Sequence, residues 1–505
     1  MDLNTKRPPN AQHGNLGRRA LHGLIYALAQ NGVARALSVV SQFALALLLQ
    51  PADFGLIGLA NTVTALTATL VSFGVDNVVL QRHERMRFWM GAAFGISLTL
   101  SLITASLVLA ISPAAAILYR APQLVSLLAL VAVAMPLGAL SSVPGIILRS
   151  RMRFGFIAGY GSAELTFQTA LTIFLAWRGY GAYSFVLPPP IIAIIRAIVY
   201  WRVAGRGLNL NPRIKKWKFL FGRSVSTSLT TILIGFINQG DYFVLGLVVT
   251  RVALGQYYFA FRLAAQPVWI LAGNFNQVIF PALTQLRSDP RRQGEAALKA
   301  AKLLSYCIFP IALLEAATAD PILRGMFHTK WLPAIPLIQI LSIGIALDGM
   351  SWIAGSLLAA QGKFHLTLKY CAIQVPIFFC LVIPAAIFFG GYGVAIAVAT
   401  FYGVTQPVFV YTVFSKSGVS LAKVMMLYLK PLGLSCLSVG VGIIAAKLPF
   451  FSGNWFLTVA VIGLVSPPTY AAFVLLAAPE VGQEFQARFA GALPAPIRRW
   501  LPKKT

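Results

Sequence analysis

Apolar residues run along this chain in long blocks, and polar residues collect in short segments between them. A helix that crosses a bilayer needs roughly 20 consecutive, mostly apolar residues. On that measure the pattern predicts fourteen spans: 23–49, 55–80, 88–112, 123–147, 157–177, 183–201, 223–249, 256–283, 303–320, 334–358, 369–389, 392–414, 425–446 and 455–478. The pieces between them are too short to hold an inserted soluble domain. Residues 1–22 are polar and carry Lys6, Arg7, Arg18 and Arg19, and the apolar run from Gly23 to Leu49 is too long for a cleavable signal. It predicts a retained first span.

Composition narrows the class. Of 505 residues, 58% are hydrophobic and 11% charged. A soluble domain is nearer half apolar and about a quarter charged. A soluble enzyme, a disordered chain, a coiled coil and a disulfide scaffold are excluded, which leaves an all-α integral membrane protein. Cys307, Cys371, Cys380 and Cys436 lie in apolar stretches without metal-ligand or CxxC spacing and read as small buried hydrophobes.

The net charge of +28 would suggest nucleic acid in a soluble protein. Here the basic residues sit in loops, with no aromatic RNA-binding pattern, so no nucleic-acid partner is expected. With the N-terminus inside, 31 of the 41 Lys and Arg residues fall in inside loops and six in outside loops. That asymmetry orients the chain and predicts two cytoplasmic termini with an even helix count.

A shift of 200 residues lays Leu47-Leu48-Leu49-Gln50 on Leu247-Val248-Val249-Thr250, Gly55 on Gly255, and Asn77-Val78-Val79 on Gln277-Val278-Ile279. Gly179-Tyr180-Gly181 and Gly391-Tyr392-Gly393 echo one another more loosely. The expected organisation is a cytoplasmic tail (1–22), a first six-helix bundle (23–201), a basic linker (202–222), a second six-helix bundle (223–414), two additional helices (425–478) and a basic tail (479–505). Parallel repeats of this kind place a substrate path around a central cavity.

No GxxxxGK[ST] segment, HExxH or metal-spaced cluster occurs, so no ATP hydrolysis, metal or other cofactor is expected. Asn31, Arg35, Ser38 and Gln42 instead lie on one helical face of span one. An Arg at mid-membrane costs about 2.5–3.5 kcal/mol, so that face must look into protein or water. Span seven repeats the pattern with Ser224, Ser228, Thr231, Gly235, Asn238 and Tyr242. These stripes either line a shared cavity or glue helices together. Arg262, with Gln266 one turn deeper, either snorkels or joins Arg35 to hold a phosphate or diphosphate. Arg196 reads as a snorkelling side chain. Glu164, Asp241 and Asp348 lie within spans, where each carboxylate is either an ion-coupling group or half of a static salt bridge to Arg35 or Arg262. Asp53 falls in a loop.

The stretch Leu49-Gln50-Pro51-Ala52-Asp53-Phe54-Gly55-Leu56-Ile57-Gly58-Leu59-Ala60, followed by Phe73-Gly74-Val75-Asp76-Asn77-Val78-Val79-Leu80-Gln81-Arg82, resembles the opening of Wzx-type flippases. These form the polysaccharide-transporter branch of the multidrug/oligosaccharidyl-lipid/polysaccharide exporter superfamily. The resemblance implies two six-helix bundles around a cationic cavity, often with two added helices. It implies export of an undecaprenyl-diphosphate-linked oligosaccharide across the bacterial inner membrane, by alternating access, for O-antigen or exopolysaccharide assembly. In the related lipid II flippases, arginines on helices one and eight hold the diphosphate, and Arg35 and Arg262 fall in similar places. A polysaccharide polymerase and a chain-length regulator are the protein partners this role implies, with a proton or sodium ion as the coupling ion. Two alternatives stay open: a MATE-like exporter of small cations, which a cationic cavity disfavours, and a membrane polymerase or ligase, for which the outer loop around His328 is short.

Overall fold

A computed structural model describes residues 34, 37–71, 86–151, 153–205, 225–327, 329–449, 451 and 453–481. Among them no strand occurs. The helices are α1 (Leu37–Leu48), α2 (Pro51–Val71), α3 (Met86–Leu118), α4 (Gln123–Ala139), α5 (Ser142–Ser150), α6 (Phe154–Trp177), α7 (Tyr183–Val186), α8 (Pro188–Ala204), α9 (Val225–Val248), α10 (Arg251–Gln285), α11 (Pro290–Phe327), α12 (Ala334–Ala346), α13 (Gly349–Ala360), α14 (Phe364–Phe414), α15 (Leu421–Ala446) and α16 (Trp455–Ala477). At least eight helical segments are long and apolar enough to cross a bilayer, and the bent pair α4 and α5 makes a ninth. Large apolar side chains stand outward on these helices, among them Ile117, Phe388, Leu464 and Leu476. In water such a surface would be costly, whereas in lipid it is the favourable one. The same reasoning corrects the reading of the cysteines. Cys371 is buried and Cys307 partly so, but Cys380 and Cys436 are exposed, because an outward apolar side chain satisfies a membrane helix as well as an inward one.

Breaks in the helices have identifiable causes. The predicted span 123–147 is two helices meeting at 41°. Pro144 has no N–H to give the carbonyl four residues back. That carbonyl, Leu140 O, accepts from the Trp201 indole Nε1 at 2.9 Å instead. The break is thus made by Pro144 and satisfied from α8. In α14, Gly390 (φ 58°, ψ −142°) separates arms 364–389 and 391–414. Only glycine adopts that conformation cheaply. The spans predicted at 369–389 and 392–414 meet there.

Helix α11 is longer than its predicted span. Its 38 residues extend about 57 Å at 1.5 Å per residue, well beyond a bilayer core of about 30 Å. The first turns carry Arg291, Arg292, Lys299 and Lys302, so this end projects past the apolar core.

The chain gathers into two compact units. One comprises residues 1–258 and 367–391, the other 259–366 and 392–505. In the first unit, the start of α2 lies against the start of α10. A Cβ on Gly55 would stand 2.1 Å from the Arg251 carbonyl oxygen, and one on Gly255 would stand 1.7 Å from the Pro51 carbonyl oxygen. These contacts are reciprocal, and the partners differ by the 200-residue shift of the sequence repeat. Gly58 packs likewise on the ring of Tyr258, whose hydroxyl accepts from Asn61 Nδ2 at 2.7 Å. The two glycines are required because helix backbones touch at this crossing.

Candidate functional site

The polar groups inside the spans form separate clusters. In the first unit, Phe156, Tyr160, Glu164 and Gln168 recur every four residues on α6 and so share one face. Arg196 comes from the middle of α8, and its Nη1 lies 3.2 Å from Glu164 Oε1. Of five ion pairs among the described residues, this one joins the middles of two spans, whereas each of the other four has at least one member near or beyond a helix end. The pair stays partly accessible, at 34% for Arg196 and 16% for Glu164. Rings pack beside it. Tyr160 and Tyr200 are 5.3 Å apart, and Phe156 stacks on Tyr160 at 6.1 Å and 19°. Against the snorkelling expected of it, Arg196 turns to Glu164, because a carboxylate 32 residues away offers a partner at its own depth.

Asp241 on α9 is handled differently. It is 1% exposed. Its Oδ2 accepts from the Tyr257 hydroxyl at 2.8 Å, and its Oδ1 from the Tyr242 N–H at 2.8 Å. The Tyr242 ring sits edge-on to Tyr257 at 5.7 Å and beside Tyr258 at 5.4 Å. No Lys or Arg pairs with Asp241 among the described residues.

The second unit holds two further carboxylates. Asp348 stands at the break between α12 and α13, where it accepts from Ser351 Oγ at 2.6 Å and Trp352 Nε1 at 3.0 Å. Glu315 on α11 accepts from Ser342 Oγ at 3.4 Å. Ser356 Oγ also donates to Asn276 Oδ1. In α10, Gln266 is buried and Arg262 half-buried one turn before it.

The expected site residues are therefore spread. Asn31 and Arg35 lie outside the described residues, as do Ser224, His328 and the stretch Phe73–Arg82. Ser38 is half-buried and Gln42 buried on α1, and Asn238 is exposed on α9, all in the first unit. Arg262, Gln266 and Asp348 belong to the second. The sequence reading gave no role to Glu315 or Asp53. Asp53 lies in the first turn of α2 rather than in a loop. Its carboxylate accepts from the N–H groups of Gln50 at 3.0 Å and Ala182 at 3.2 Å. A Cβ on Gly181 (φ 54°) would stand 2.8 Å from Asp53 Oδ1. The acidic-Phe-Gly motif thus pins the turn before α7. The motif signalled Asp53, but its partner lies 129 residues away.

Comparison with known proteins follows the same lines. An uncharacterized membrane protein in the cps region of Klebsiella pneumoniae is 23% identical over 359 residues, covering 69% of this chain and 73% of its own length. The lipopolysaccharide biosynthesis protein WzxC of Escherichia coli (strain K12) is 21% identical over 393 residues, covering 76% of this chain and 78% of its own. The solved structure of the lipid II flippase MurJ in an inward closed conformation is 15% identical, with a TM-score of 0.74 over 90% of this chain and 99% of that one. It shares the fold. The family described as polysaccharide biosynthesis protein matches residues 44–336, more than half the chain, and the protein belongs to that family.

Proposed function

We propose that this protein is a flippase that carries undecaprenyl-diphosphate-linked oligosaccharide repeat units from the inner to the outer leaflet of the bacterial inner membrane, for O-antigen or exopolysaccharide assembly. The observation that carries this reading is the family match over residues 44–336 in a chain built of apolar, membrane-type helices. WzxC, named for lipopolysaccharide biosynthesis, and the lipid II flippase fold support the same substrate class. The protein acts as a transporter, and no bond of the substrate needs to be made or broken. Both termini are cytoplasmic, consistent with the positive-inside asymmetry.

A sugar-diphosphate head group cannot enter hydrocarbon, while its polyprenyl tail is at home there. The protein must supply a wet, cationic route for the head alone, opened to one face and then the other. Arg35 and Arg262 hold the diphosphate, because guanidinium forks bind phosphate oxygens bidentately. Asn31, Ser38, Gln42, Asn238 and Gln266 add hydrogen bonds along the route. A proton or sodium ion couples transport at carboxylates within the spans, Glu164, Asp241 and Asp348 being the candidates. Asp241 and Asp348 accept from hydroxyl, indole or backbone donors, and no cation among the described residues pairs with either, so they suit a group whose charge must change. A polysaccharide polymerase and a chain-length regulator take the product onward.

Deletion of the gene in its native bacterium tests the reading. Complete lipid-linked repeat units are expected to accumulate on the inner face while surface polysaccharide disappears. Single units that reach the outer face and stay unpolymerised would make the protein a polymerase instead. In the complemented strain, Arg35→Ala and Arg262→Ala are each expected to abolish export while membrane insertion is kept; wild-type export from both would remove the diphosphate site.

A further inference from the structure

The cluster on α6 and α8 is an unusual thing to find at mid-depth in a membrane protein. Glu164 is the eleventh of the 24 residues of α6, and Arg196 the ninth of the 17 of α8. Each is therefore about 12–15 Å from its helix start at 1.5 Å per residue, near the middle of a hydrocarbon core of about 30 Å. A charged pair left partly accessible there cannot face lipid tails, where an unhydrated charge is too costly. The accessible part of this face must meet water or a polar ligand. Nor does stability explain the pair, since ion pairs removed from water often do no better than apolar packing of the same volume.

The side chains around the pair specify a ligand chemistry. Tyr160 and Tyr200 present half-buried rings 5.3 Å apart and tilted at 59°. Phe156 extends the ring surface on one side of Tyr160, and Gln168 continues the face one turn beyond Glu164. Arg196 Nε is unpartnered. Aromatic faces carry a negative quadrupole that attracts polarised C–H bonds. A carboxylate, a guanidinium and an amide beside such faces offer fixed acceptors and donors for hydroxyl groups. Flat C–H faces edged by hydroxyls are the surface of a pyranose ring. Because Glu164 and Arg196 neutralise one another, the cluster favours an uncharged sugar over an acidic one.

We propose that Phe156, Tyr160, Glu164, Arg196 and Tyr200 form a saccharide subsite that binds a neutral hexopyranose of the lipid-linked head group, separate from the arginines that hold its diphosphate. This rests on the flippase reading and deepens it. The diphosphate is common to all such substrates, whereas the sugar is what distinguishes them. The subsite therefore gives the protein its selectivity for a repeat unit. Helix α6 alone offers Phe156 to Gln168 along about 18 Å of one face, room for more than a single ring.

The test is binding by the full-length protein in nanodiscs, with two probes. One is undecaprenyl diphosphate without sugar. The other is the undecaprenyl-diphosphate-linked repeat unit extracted from the deletion strain. Tyr160→Leu and Tyr200→Leu are each expected to weaken binding of the glycosylated lipid about tenfold and leave undecaprenyl diphosphate binding unchanged. Glu164→Gln is expected to weaken binding of the glycosylated lipid as well. Tyr160→Phe keeps the ring and is expected to lose about threefold at most. Arg262→Ala is expected to weaken both probes together. Unchanged affinity of the leucine variants for the glycosylated lipid would overturn the subsite, and so would equal losses for both probes. Failure of the wild-type protein to bind either probe would instead overturn the flippase reading itself. If Glu164→Gln does not fold, the two leucine variants, which remain compatible with a membrane span, decide the matter alone.

Discussion

Glu164 and Asp241 sit in the same compact unit, both within spans, and are treated in opposite ways. Glu164 has a guanidinium at 3.2 Å and remains partly accessible. Asp241 is closed off and accepts from a tyrosine hydroxyl and a backbone N–H. A cation beside a carboxylate makes a fixed, nearly neutral pair, useful for orienting a ligand and poorly suited to exchanging a proton. Neutral donors satisfy the oxygens but leave the cost of a buried charge largely uncompensated. On the proposed reading, the difference separates two jobs that residue type alone cannot separate: recognition at Glu164 and coupling at Asp241.

That contrast can be broken most forcefully at Arg196. Arg196→Ala leaves Glu164 unpaired at mid-span and is expected to destabilise the protein, by less than the about 3–5 kcal/mol of a fully buried pair because this one stays partly accessible, read as thermal unfolding in detergent. The double substitution Glu164→Leu with Arg196→Met is expected to recover most of that stability while binding of the glycosylated lipid stays lost. Recovery of both would show that the pair is only structural. Next in size, Tyr257→Phe removes a donor from a buried carboxylate and is expected to cost about 1–3 kcal/mol. Asp241→Asn keeps an acceptor for Tyr257 and is expected to change stability by less than that, while flattening the pH dependence of transport in proteoliposomes. A pH profile identical to wild type would end the coupling role of Asp241.

The smallest effect is expected outside the spans, at Glu480. Its carboxyl is held below the usual range by a 2.8 Å hydrogen bond from Lys302 Nζ and by that ammonium's charge. A lowered value in the folded state means that the contact contributes above the ordinary carboxylate value of about 4.5 and is lost as pH falls through the lowered one. Glu480→Gln is therefore expected to differ slightly from wild type at neutral pH and to match it once the pH has fallen well below 4.5. High salt should erase the neutral-pH difference, because both groups are at the surface.

What the chain reveals before folding depends on how local the cause is. The order of helices is readable because each apolar block carries its own signal, and the interruptions at Pro144 and Gly390 are readable because the residue that breaks the helix is itself the mark. Partners brought together by packing are another matter. The Glu164 to Arg196 pair depends on α6 lying against α8, and the bond from Asp53 to Ala182 depends on a turn 129 residues away. Spacing within one helix contains no trace of either. Arg196 in isolation resembles any snorkelling arginine, and Asp53 any acid near a loop. Glu315 falls inside the predicted span 303–320, but nothing beside it in the chain announces Ser342 as its hydrogen-bond partner.

The crossing of Gly55 and Gly255 has a genetic consequence. Most tight contacts can be repaired from the other side: when one residue grows, its neighbour can shrink. Here each glycine presses on a main-chain carbonyl, and no residue is smaller than glycine. A selection for suppressors of Gly255→Ala should therefore return true revertants, or changes that reroute the α2 and α10 helices, and no compensating side chain at the point of contact. The constraint is double, because Gly55 and Gly255 each press on the other helix's backbone and neither can cover for the other.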